Sequence, residues 1–204
     1  MIRWFKRIVL SAGLIIGLAL IIAVIVWGRI THWGQSAAGS AELRARLGIV
    51  PFIILEPRLY RPFIGARLEG PVLFHDRDGV PTYYKFLFRR GDCIIGYVDI
   101  SAQCLALLRF GWHYEDPNDL SDCPQHFPNP PTAEEAMDRA RDVLSRYADA
   151  TVDTPFLYGM GGPEWWLIRV RRDGEVIAWV TVSTWDGHVW ELPAQYWDRP
   201  SSGW

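Results

Sequence analysis

The feature that most constrains this chain is a run of twenty residues, 8–27, reading IVLSAGLIIGLALIIAVIVW without one charged side chain. At about 1.5 Å rise per residue, a helix of this length spans the roughly 30 Å hydrocarbon core of a bilayer. Gly13 and Gly17 are tolerable in such a helix, and Trp4 and Trp27 bracket it where amphipathic rings favour the headgroup interface. Arg3, Lys6 and Arg7 precede the run, and the first acidic residue is Glu42. The expectation is a single-pass transmembrane helix and signal-anchor. The 1–7 tip is then cytoplasmic, and everything after about Arg29 is periplasmic or extracellular. A cleaved signal peptide would have an apolar core of about 7–15 residues. The small residues Ser36, Ala37, Ala38 and Ser40 lie well past the end of this longer run, so an uncleaved anchor is the better reading.

Charge agrees with that orientation. Three basic residues sit before the run in a chain whose formal net charge is -2, so the remainder stands at -5. Nothing here is a basic footprint for nucleic acid. At 50% hydrophobic the chain is no disordered polymer, and 3 Cys are too few for a disulfide scaffold. Cys93 and Cys104 have a separation that suits a hairpin-like approach and a disulfide. The alternative is that Cys93, Cys104 and Cys123 are all small buried hydrophobes. An odd count leaves at least one thiol out of any internal pair.

After the run, 28–48 reads as a tether followed by a short helix over 41–47, with Ser40 as N-cap and Gly48 as stop. A first sheet unit is expected over 49–110. Its opening stretch, 49–59, is broken by Pro51 and Pro57 and reads as extended chain or edge strand. Strands over 71–77, 83–88 and 93–100 follow, separated by Asp78-Gly79 and Arg90-Gly91-Asp92 turns, with a fourth apolar stretch over 103–110. Residues 111–131 hold five Pro and no periodicity, and read as a linker loop. The last unit, 132–204, opens on a helix: Thr132 and Glu135 have capping-box spacing, and Ala133, Ala136, Ala140, Val143 or Leu144, and Tyr147 recur at helical spacing. Strands over 164–170 and 175–183, joined by Arg172-Asp173-Gly174, and a short strand over 189–192 complete it. A helix packed on a small antiparallel sheet is an α+β architecture.

This last unit resembles the PepSY domain. The resemblance rests on Thr132-Ala-Glu-Glu-Ala136 opening a helix, then a hairpin, then Val182-Ser-Thr-Trp-Asp186-Gly187-His-Val189. The family's closing strand has the form V-D-x-x-T-G-x-V. Ser183 stands here at its Asp and Asp186 at its Thr. The likeness covers about a third of the chain. The stretch 71–101 is similar to the sheet part of such a module, so two related sheet units side by side are expected. PepSY modules occur in propeptides that inhibit secreted proteases and in membrane-tethered proteins. The resemblance therefore implies a non-catalytic binding or regulatory module, with no catalytic residue to carry over and no cofactor.

Candidate chemistry is sparse. His113, Glu115, Asp116, Asp119, Asp122, Cys123 and His126 gather metal-capable groups in the linker. Of these His113, Cys123 and His126 are the weak zinc candidates. No second Cys/His pair at zinc spacing and no EF-hand spacing is present, so a solvated acidic loop is preferred. Asp76-x-Asp78-Gly79 reads as a hairpin turn rather than a calcium fragment. No G-x-S-x-G or catalytic Cys motif appears.

The sharper feature is aromatic. Seven of the 11 Trp fall near the C-terminus, including Trp165, Trp166, Trp179, Trp185, Trp190 and Trp197. Exposed indoles beside polar groups suit peptide, glycan or protein contact, whereas a small sheet also fills its core with such rings. Three functions follow, in order. The first is a membrane-tethered module binding a protein or peptide of the cell envelope and regulating an enzyme there. The second is a Trp-rich glycan- or cell-wall-binding module. The third is an envelope enzyme.

Overall fold

The computed structural model describes residues 37–128, 132–159 and 164–198. Two twelve-residue helices, α1 (Ala37–Gly48) and α3 (Ala133–Leu144), accompany a six-residue helix α2 (Val50–Leu55). The strands are β1 (Arg67–His75), β2 (Pro81–Arg90), β3 (Cys93–Ser101), β4 (Leu107–Trp112), β5 (Thr151–Val152), β6 (Phe156–Tyr158), β7 (Trp165–Arg172), β8 (Glu175–Ser183) and β9 (Val189–Pro193). They form one nine-stranded sheet in the order β4-β3-β2-β1-β6-β7-β8-β9, with β5 beside β7.

Several expectations are corrected. No helix among the described residues is long and apolar enough to cross a membrane. Twelve residues make about 18 Å of helix, well short of the hydrocarbon core. The run 8–27 lies outside the described residues. The transmembrane fold, the membrane and signal-anchor character and the single-pass localisation are corrected on that finding. The purely antiparallel sheet is corrected to a mixed one, because β1 and β6 pair in parallel through His75 and Tyr158. A parallel neighbour needs a crossover connection, and the chain between β4 and β6 supplies it through α3. The Pro-broken stretch expected to be extended contains α2 instead. Pro51 sits in its first turn, where a missing N–H costs nothing. Cys93 is bonded to Cys123 rather than to Cys104, with Cα atoms 5.5 Å apart, and Cys104 is free and exposed.

The two halves of the sheet repeat one another in detail. Along β2–β3, the cross-strand partners include Tyr83 with Ser101, Lys85 with Asp99 and Leu87 with Tyr97. Along β7–β8, they include Trp165 with Ser183, Leu167 with Thr181 and Arg169 with Trp179. Each ladder slips by a bulge at the same place, before Arg89 and before Arg171. The turn that follows is also the same. Ser101 Oγ accepts from the N–H groups of Gln103 and Cys104, and Ser183 Oγ from those of Trp185 and Asp186. Each turn then passes through a positive φ, at Leu105 and at Gly187.

The parallel joint decides how each half is covered. Successive side chains on a strand point to opposite faces. Ala41 and Ala45 of α1 pack with Phe86, Phe88, Val98 and Ile100 on one face. Ala136 and Ala140 of α3 pack with Ile168, Val170, Val180 and Val182 on the other. The alanines let the helix axes approach the strands closely. α3 is held at its start by the Thr132–Glu135 capping box. Each half therefore has one face under a helix and one face without, and the two helix-free faces lie on opposite sides of the sheet.

Candidate binding site

The helix-free face of the first half carries Tyr83, Lys85 and Leu87 from β2, Tyr97 and Asp99 from β3, and Arg109 from β4. Pairing sets them in a row: Lys85 lies opposite Asp99, and Asp99 opposite Arg109. Glu164 enters from the start of β7. Its main-chain oxygen accepts from the Thr184 hydroxyl at 2.8 Å, which pins the carboxylate over the first half.

These groups form a buried ionic cluster. Lys85 Nζ is 3.1 Å from Asp99 Oδ1 and 3.0 Å from Glu164 Oε1. Arg109 Nη2 is 2.7 Å from Asp99 Oδ2 and 3.2 Å from Glu164 Oε1. The Tyr83 hydroxyl donates to Glu164 Oε1 at 2.7 Å. The Lys85–Asp99 contact lacks hydrogen-bond geometry, and Asp99 Oδ1 has no hydrogen-bond partner. Lys85, Asp99 and Glu164 are buried, while the Arg109 side chain stays 29% exposed. The Lys85 ammonium also stands 3.8 Å from the centroid of the Tyr97 ring, a cation–π contact.

The segment after β4 and the turn before β9 build walls above this floor. His113 lies edge-on to Trp185 at 5.9 Å, and Phe127 lies edge-on to the same indole at 5.5 Å. Between walls and floor is a cavity of about 290 Å³, reached by Lys85, Leu87, Tyr97, Arg109, Trp112, His113, Phe127, Glu164 and Trp185. The Cys93–Cys123 bond and the Ile94 N–H to Pro124 carbonyl hydrogen bond, 2.8 Å, hold the wall segment to β3.

The electrostatics follow from burial. The Asp99 carboxyl is pushed up by desolvation, against the opposing pull of Lys85 and Arg109. The His113 imidazole is pushed down by desolvation and then by the Lys85 charge. The Tyr83 hydroxyl is pushed up by burial and by Glu164, so it remains a donor. Two cations, two carboxylates and an imidazole line or underlie an aromatic-walled space. Both cations pair with both carboxylates, and among the described residues no nucleophile stands beside a free base.

The residues singled out from sequence are scattered across the molecule. Trp166 is buried against α3. Trp165, Trp179 and Trp197 cluster with Tyr158 and Leu167 on the helix-free face of the second half. Trp190 is exposed, 4.5 Å from His188, and Trp185 is exposed at the cavity mouth. Of the zinc candidates, His113 lines the cavity, Cys123 is consumed by its disulfide and His126 is exposed. No group of His, Cys, Asp and Glu among the described residues is placed to hold a metal ion. The charged floor escaped sequence reasoning. Its signal was a charge in the middle of each of two apolar strands, Lys85 in YYKFLF and Asp99 in GYVDIS.

No family model, no curated protein and no solved structure matches this chain.

Proposed function

We propose that this protein is a non-catalytic binding module and that its ligand site is the cavity over Lys85, Asp99, Arg109 and Glu164. The ligand is a peptide segment of a partner protein. One observation carries the reading. The second half builds the same ladder with Leu167 and Thr181 at the positions of Lys85 and Asp99. A helix-free face of this sheet does not need ions. Burying a charge cluster where an apolar one folds is costly, and such a cluster beside a concave space is the usual mark of a site. The PepSY-like pattern at 132–189 supports the same reading, because it implies a regulatory binding module.

The test replaces the first half's ions with the second half's residues. A Lys85→Leu/Asp99→Thr chain and the unaltered chain are each used for affinity capture with cross-linking mass spectrometry. The reading requires a stoichiometric partner, cross-linked beside Trp112 or Trp185, that the double variant no longer retains. Equal capture of the same partner by the folded double variant overturns it.

A further inference from the structure

We infer that the cavity takes one neutral aromatic side chain of the partner peptide, in the way that the second half already takes Trp197 of this chain. The inference rests on the binding role proposed above and names the chemistry of its ligand.

In both halves the chain leaving the last strand folds back over the helix-free face. After β9 the short helical turn Ala194–Asp198 brings Trp197 onto that face. Its indole lies 5.1 Å from Tyr158 and edge-on to Trp179 at 6.4 Å. Leu167 belongs to the same cluster. The Trp197 carbonyl accepts from Arg77 Nη1 at 2.8 Å. The bound group is thus an aromatic ring whose own backbone carbonyl is held by an arginine.

The first half keeps the receptor and lacks so complete a filling. Tyr97 stands at the position of Trp179, and Lys85 at that of Leu167. After β4 the returning chain brings Phe127 to within 5.5 Å of the Lys85 ammonium, and about 290 Å³ remains open beside it. That lies at the small end of ligand pockets, about right for one large side chain with part of its backbone. Tyr97, Phe127 and Trp185 offer ring faces and edges, which favour an aromatic guest over an aliphatic one. A cationic guest meets Lys85 and Arg109. An anionic guest finds both already held by Asp99 and Glu164.

The full-length chain, labelled with ¹⁵N, is titrated with N-acetyl-tryptophanamide and with N-acetyl-leucinamide while the indole N–H signals are followed by NMR. Saturable shifts at Trp185 are expected with the aromatic probe, at least threefold stronger in affinity than with the aliphatic one. Trp185→Ala, at a solvent-exposed position, is expected to weaken the aromatic probe several-fold without unfolding the chain. Equal response to both probes, or shifts centred on Trp190, overturns the inference. If the probes fail while Lys85→Leu/Asp99→Thr still abolishes partner capture, the aromatic anchor is wrong and the binding reading stands. If capture is also insensitive, both fall.

Discussion

Lys85 and Leu167 occupy the same place in two copies of one ladder. Lys85 faces Asp99 across β2–β3, and Leu167 faces Thr181 across β7–β8, with matching bulges beyond. The backbone accepts both solutions, so the ladder itself does not require the ions.

Removing one ion is expected to cost more than removing two. Lys85→Leu strands Asp99, which is fully buried, with only Arg109 beside it. The cost of breaking a buried pair in this way is about 3–5 kcal/mol. Lys85→Leu/Asp99→Thr leaves Arg109 with Glu164 and recreates the second half's chemistry. Urea unfolding should place the double variant nearer the unaltered chain than the single one.

His113 sets an acid limit. Its folded imidazole lies below the ordinary 6.5, mainly through desolvation. The unfolded chain therefore binds the proton first, and stability rises with pH across that window. Its contribution is complete above about 6.5 and is lost progressively as the pH falls toward the folded value. Thermal melts from pH 7.5 to 5 should show a slope that His113→Gln removes.

The wall of the cavity depends on one covalent tie. Cys93→Ser/Cys123→Ser opens a loop with sequence separation 30. Loss of about 2–4 kcal/mol is expected. Hydrogen exchange should accelerate over 113–128 first. Cys104→Ser, at an exposed free thiol, should leave stability within about 0.5 kcal/mol.

Trp197 covers the helix-free face of the second half. Trp197→Ala uncovers Tyr158 and Trp179. Because Trp197 is only half-buried, a loss of about 2–3 kcal/mol is expected, below the 3–5 kcal/mol typical of fully buried large rings. Calorimetry measures the loss, and the indole signals of Trp112 and Trp185 should not move.

Local structure was legible where one stretch of chain carries the whole cause. Thr132 and Glu135 cap a helix because both partners lie within one turn. Gly79, Gly91 and Gly174 mark turns because positive φ suits glycine. Pro51 misled: a proline in the first turn of a helix looks, in sequence, like a proline on an edge strand. The Cys pairing was equally closed to spacing, because Cys123 returns to Cys93 only once the segment after β4 folds back over the sheet.

Sequence by itself determined the capped helix, the turns, the alternating strands and the charges placed within two of them. It also holds the repeat of Tyr83 to Ser101 in Trp165 to Ser183, visible once the registers are compared. The tertiary structure decided how the halves join. The parallel contact of His75 with Tyr158 turns the two helix-free faces to opposite sides of one sheet. That joint brings Glu164 of the second half onto Lys85 and Arg109 of the first, residues too far apart in the chain for any local pattern to pair them. A cavity is made by groups that meet only after the strands have chosen their neighbours, which is why the ions were visible in the sequence and the site was not.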